Sequence, residues 1–233
     1  MAVTANSPTA EIFYRVGMLI NSEFLRLFPD VKSLNNVIKN ILPNYYKDWK
    51  QEYIIDRQTW GNENLLNLLK EHNHNELKII VLVRDVSEIL ASFIKLAKST
   101  PNNFINNNLH SIQEQCDRLM NDDGIIGKDL ISLKNLIKPE NKKITHFIEY
   151  DDLIKNPKKE INMVYDFLDI PKFEHKYINL DQFETNSIKY NDSVLGVDLH
   201  KIRTNNIKKA TYNVEDILPH HIIEKCKVLN IWK

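Results

Sequence analysis

Arg84 and Ser92 stand eight positions apart in the stretch that opens Val83-Arg84-Asp85. Arg84 leaves the end of an apolar run, and Ser92 falls on the following helical segment, off its apolar face and in line with Lys95. A guanidinium and a hydroxyl converging beside a strand end make a clamp for a phosphate monoester, because arginine donates two parallel charge-assisted hydrogen bonds. The alternative reading of the same residues is structural: Arg84 pairs with Asp85 or Glu88 as a surface ion pair, and Ser92 is an ordinary helix-surface serine.

The elements that must position these groups are legible from periodicity. Lys78 to Asp85 is a continuous β-branched run ending in two charges, which predicts a buried strand. A helix is expected to follow without a gap, with Asp85 and Glu88 at capping-box spacing and Val86, Ile89, Leu90 and Phe93 on one apolar face. Ile144 to Tyr150 reads as a second strand, and Asn156-Pro157 starts a helix whose buried side is Ile161, Val164, Phe167 and Leu168. Tyr53 to Asp56 is a shorter apolar run ending in a charge, read as another buried parallel strand.

Helices are expected over Val31 to Leu42, stopping at Pro43, and over Leu65 to Leu69, Leu109 to Met120 and Asp129 to Ile137. An earlier helix follows Ser7-Pro8, and a last one follows Pro219. Strands alternating with amphipathic helices imply an α/β fold, with a parallel β-sheet flanked by helices on both faces. Ligands in such sheets gather at the carboxyl ends of strands. Asp56-Arg57, Arg84-Asp85 and Tyr150-Asp151 all fall there. A single domain over 1–233 is expected, with the sheet core over about 50–170 and a loop-rich cap over about 171–233.

Composition narrows the classes of partner. The chain has 31 basic and 31 acidic side chains, so no global field draws it to nucleic acid or to an anionic membrane, and any polyanion must be held by a local cluster. The C-terminal basic stretch lacks the interleaved aromatics of a nucleic-acid patch. No apolar run reaches the ~20 residues of a membrane span, and no signal pattern opens the chain. Cys116 and Cys226 have neither metal nor C-x-x-C spacing, and two buried thiols in a reducing, cytoplasmic compartment are expected. His146, inside a strand, is expected to be a satisfied core residue, and His220 and His221 solvated residues at a helix end.

Two of these segments, taken together, carry a resemblance. Lys78 to Leu96 resembles the 3′-phosphate-binding strand-loop-helix of sulfotransferases, in which a strand ends in Arg-Asp and a serine follows eight positions after the arginine. Ile148-Glu149-Tyr150-Asp151-Asp152-Leu153, Asn156-Pro157 and Phe167-Leu168-Asp169-Ile170-Pro171 are similar to that family's second signature, whose tyrosine lies against the donor nucleotide. Read alone, Tyr150 is equally an aromatic plug between strand and helix. Ile55-Asp56-Arg57-Gln58-Thr59-Trp60 resembles the strand whose lysine faces the sulfonate, with Arg57 in the lysine's place. Leu199-His200-Lys201-Ile202-Arg203 and Asn206-Ile207-Lys208-Lys209 resemble the basic loop that closes over the donor, or else form a solvated basic turn.

The resemblance implies a P-loop NTPase-like sulfotransferase fold. It also implies transfer of a sulfonate from 3′-phosphoadenosine 5′-phosphosulfate (PAPS) to a hydroxyl or amine, leaving adenosine 3′,5′-bisphosphate (PAP). The acceptor is open between a small molecule, a glycan and a peptide tyrosine. Arg84, Ser92, Tyr150, Arg203, Lys208 and Lys209 would bind the donor and Arg57 would serve catalysis; no metal is expected. The family's first motif, Pro-Arg-Ser-Gly-Thr/Ser-Thr, is absent, so an N-terminally incomplete domain is expected. A non-catalytic nucleotide-binding remnant, or an interaction protein on a sulfotransferase fold, is the alternative. Glu11 is the acid nearest the place where one branch of the family has its base, though its spacing differs, and it reads equally as a first-turn glutamate favoured by the helix dipole.

Overall fold

The computed structural model describes residues 31–50, 52–53, 55, 61–72, 77–99, 111–180, 184–185, 188–189, 207–209 and 212–233. The chain divides into two compact units, Met1–Leu77 and Lys78–Lys233. The first unit contributes α1 (Val31–Tyr45) and α2 (Glu63–His72). Helix α1 runs past the expected stop, carrying Pro43 in its last turns. Proline there removes one backbone donor close to where the ladder ends in any case. Leu66 and Leu69 of α2 are buried. The strand expected from Tyr53 to Asp56 is not formed at its described residues: Tyr53 and Ile55 have no regular structure, and Ile55 is 83% exposed. So short a run has no periodicity of its own to enforce a strand, which depends on a neighbour's backbone.

The second unit holds the expected strand-helix-strand core. Ile79–Val83 forms β1, and Val86–Ser99 forms α3 directly after Arg84 and Asp85. Helices α4 (Ile112–Met120) and α5 (Ile125–Leu136) lead to β2 (Thr145–Glu149). The capping box that starts α4 is reciprocal, Ser111 with Glu114. β1 and β2 pair in parallel, with Ile79 opposite Thr145 and Val83 opposite Glu149. Helix α6 (Tyr150–Lys155) begins where β2 ends. Asn156 then breaks the helix, and its side chain caps α7 (Pro157–Leu168) by accepting from the backbone N–H of Lys159. The tail carries a two-residue pair, β3 (Glu184–Thr185) with β4 (Ile188–Lys189), a 3-10 turn over Val214–Asp216, and α8 (His220–Lys227).

The core lies between α3, α4, the start of α5 and α8. Val86, Leu90, Ala91 and Ile94 of α3 pack there with Cys116, Leu119, Ile126, Ile222 and Cys226. Burying that apolar stripe is what holds α3, and the strand end feeding it, in place. Both cysteines are free thiols within this core. The sheet is not covered throughout as expected: Ile79 and Val83 are buried, whereas Ile80 and Leu82 are exposed, Leu82 by 56%. The apolar residues of α7 expected on its buried side are only half-buried, and the buried residue there is Glu160. Apolar run-length reports a preference for burial, but only a neighbouring layer satisfies it. Among the described residues no helix is long and apolar enough to cross a membrane.

Candidate functional site

The parallel register places the site. Because Val83 lies opposite Glu149, the next residues, Arg84 and Tyr150, emerge side by side at the carboxyl end of the sheet. The Arg84 guanidinium stacks over the Tyr150 ring, 4.4 Å from its centroid. Arg84 is half-buried and two of its nitrogens are engaged. Nε donates to Glu88 Oε2 at 2.8 Å, and Nη2 donates to the Tyr212 hydroxyl at 3.3 Å. Tyr212 in turn donates to the Glu88 backbone carbonyl at 3.0 Å, and Lys95 Nζ sits 5.2 Å from the Tyr212 ring centroid.

The C-terminal basic segment reaches the same place. Lys209 Nζ donates to Glu88 Oε1 at 2.7 Å and lies 2.8 Å from Asp151 Oδ1. One carboxylate therefore bridges two cations, one from a strand end and one from the tail. Burial is the largest influence on the Arg84 pKa and would lower it, but the hydrogen bond to Glu88 and the charges of Tyr212, Glu88 and Tyr150 together outweigh it, and the guanidinium is held above its ordinary value. Lys209 is likewise raised, by its bonds to Asp151 and then Glu88. Both groups are cationic at neutral pH.

Asp85 does structural work beside them. Its Oδ1 accepts from the backbone N–H and the hydroxyl of Ser87 at 2.9 and 2.6 Å, capping α3. Its Oδ2 accepts from Asn230 Nδ2 at 2.7 Å, while Asn230 Oδ1 accepts the Val86 N–H at 3.0 Å. Burial would raise the Asp85 pKa, but the hydrogen bonds from Ser87 and Asn230 win and it is lowered. The expected capping box is thus only half present: Asp85 caps, but the Glu88 side chain turns to Arg84 and Lys209. Charge competition decides this, since two cations outbid one backbone donor.

Of the residues singled out in the sequence, Arg84, Tyr150 and Lys209 are brought together. Ser92 is exposed on α3, one helical turn beyond Glu88, and among the described residues no hydrogen bond joins it to Arg84. Lys208 is exposed beside Lys209. Glu11, Arg57 and Arg203 lie outside the described residues. The ion pair of the structural reading, Arg84 with Glu88, is present. Tyr212 and Asn230 are participants that the sequence did not reveal, because partners 128 and 144 residues away leave no local spacing to read.

His146, His220 and His221, and a cavity among the described residues, lie elsewhere. His146 stacks on Phe167 at 5.2 Å, and its buried Nε2 has no hydrogen-bond partner among the described residues, so it is not the satisfied core residue expected. His220 and His221 are exposed, as expected. A cavity of about 450 Å³ opens where α4 meets α5, lined by Arg118, Asp123, Gly124 and Lys128 among others, and shares no residue with this site. No group of three or more His, Cys, Asp or Glu among the described residues could hold a metal ion.

What the arrangement can do is bind an anion at a strand end, with a planar ring alongside. In comparison with known families, the model of the sulfotransferase domain matches residues 59–214, more than half of the chain. No curated protein and no solved structure matches. The matched span includes Arg84, Ser92, Tyr150, Arg203, Lys208 and Lys209.

Proposed function

The chain belongs to the sulfotransferase family, and from that premise we propose that it transfers a sulfonate from PAPS to a hydroxyl or amine acceptor. In this reading Arg84 and Lys209 hold the 3′-phosphate of the donor and Tyr150 lies against the nucleotide. The observation that carries it is the convergence of Arg84, Tyr150 and Lys209 at one sheet end, from three separate segments of the chain. A phosphate monoester carries about −1.5 to −2 charges near neutral pH and offers three acceptor oxygens, which suits two permanent cations.

Transfer of this kind needs positioning and charge stabilisation more than covalent chemistry by the protein. Arg57 would stabilise the leaving 5′-phosphate, and Arg203, Lys208 and Ser92 would complete the donor site. Glu11 is the candidate base. The test is titration calorimetry with adenosine 3′,5′-bisphosphate. Binding that weakens by about 10- to 100-fold in Arg84→Ala, as loss of a charge-assisted bidentate contact requires, supports the reading. No binding, or binding unchanged in Arg84→Ala, overturns it.

A further inference from the structure

Arg84 and Lys209 already hold a carboxylate. Glu88 gives one oxygen to Arg84 Nε at 2.8 Å and the other to Lys209 Nζ at 2.7 Å. The Arg84 and Glu88 side chains are only 19% and 21% exposed, so solvent screens this pair weakly. Glu88 holds the Nε–H of Arg84 and one N–H of Lys209, so an anion that bridges these two cations along the same edge competes with it for those donors. Asp151 pairs with Lys209 as well, so among the described residues Arg84 and Lys209 are matched by two carboxylates before any ligand arrives.

We propose that Glu88 is the resident anion of this site and limits its affinity: a 3′-phosphate binds by displacing the Glu88 carboxylate from Arg84 and Lys209. This rests on the donor-site reading above. The exchange is favoured by charge, because a phosphate monoester brings nearly two negative charges against one. It is opposed by the ion pairs that break and by repulsion from the carboxylate left nearby.

The architecture suits such an exchange. Tyr212 bonds to Arg84 Nη2 and to the backbone carbonyl of Glu88, not to its carboxylate, so Arg84 keeps that anchor when the carboxylate leaves. Glu88 lies in the first turn of α3, one turn before exposed Ser92, and a glutamate has rotamers that lead away from Arg84. Asp151 is exposed and holds Lys209 from the other side, which keeps the tail beside the sheet during the exchange.

The experiment is calorimetric titration of adenosine 3′,5′-bisphosphate into the full chain and into Glu88→Gln, Glu88→Ser, Arg84→Ala and Arg84→Ala/Glu88→Gln. Glutamine preserves shape and removes the charge; serine removes the competing carboxylate altogether and stands in should the glutamine variant fold poorly, which thermal unfolding reports. Tighter binding by about tenfold in either Glu88 single variant is expected, with a smaller gain in the double variant relative to Arg84→Ala. Equal or weaker binding in the folded Glu88 single variants overturns the inference and leaves Arg84-dependent binding by the wild type intact. A gain of the full size without Arg84 also overturns it, since Arg84 would then take no part in the competition. If neither wild type nor variants bind, the donor-site reading fails and takes this inference with it.

Discussion

The Arg84 guanidinium carbon lies over the Tyr150 ring, 4.4 Å from its centroid, and the two residues continue neighbouring parallel strands paired one position earlier. Register, not sequence proximity, makes this contact. A slip of one residue in either strand would turn one partner to the opposite face. The ring orients the guanidinium while leaving its in-plane donors available for hydrogen bonds.

Tyr150→Phe should therefore leave binding of adenosine 3′,5′-bisphosphate nearly unchanged, whereas Tyr150→Leu should weaken it. The cation–π contact is worth about 0.5–2 kcal/mol, or about 2- to 30-fold in affinity. Calorimetry on both variants checks this. A loss in Tyr150→Phe as large as in Tyr150→Leu would assign the effect to the hydroxyl instead.

Asp85 predicts an acid-side loss of stability. Its carboxyl is held below the ordinary value of about 3.9, with hydrogen bonds from Ser87 and Asn230 outweighing burial. A depressed folded pKa stabilises the protein above the unfolded pKa, and that contribution disappears as pH falls through the folded one. Asp85→Ala should cost about 0.5–2 kcal/mol at neutral pH through the lost cap. The gap between variant and wild type in urea unfolding should narrow as pH falls below about 4.

Gly127 predicts an inverted helix-propensity effect. Glycine to alanine inside a helix ordinarily stabilises by up to about 1 kcal/mol. Here a Cβ on Gly127 would run into the backbone carbonyl of Asn121, where α5 turns back on the end of α4. Backbone cannot yield as a flexible side chain does, so Gly127→Ala should destabilise by about 1–3 kcal/mol. Chemical denaturation measures it, and a stabilised variant would show that the α4–α5 approach is looser than described.

The two core thiols should be inert in the folded protein. Burial pushes Cys116 up to about 12 and Cys226 up to about 11, with no cation offsetting it in favour of thiolate. A thiol reagent at pH 8 should label neither until denaturant is added. Raised folded values also mean that their contribution to stability is complete below the unfolded pKa of about 8.5 and is lost as pH climbs towards 11–12. Cys116→Ala should flatten the alkaline side of the stability profile.

What the sequence by itself determined is local. The β-branched run before Arg84, the amphipathic stripe of α3 and the Asn156-Pro157 start of α7 each carry their own backbone preference, so they read correctly without any partner. The order of Arg-Asp, Ser and Tyr-Asp along those elements already pointed to a phosphate at a sheet end. Tertiary structure decided the rest. It set the register that stacks Arg84 on Tyr150 and drew Lys209 and Tyr212 in from the tail. It gave Glu88 to two cations instead of the capping box, and left Ile80 and Leu82 uncovered. These outcomes depend on which groups compete for the same charge or surface across long separations, and no local pattern encodes the winner of such a competition.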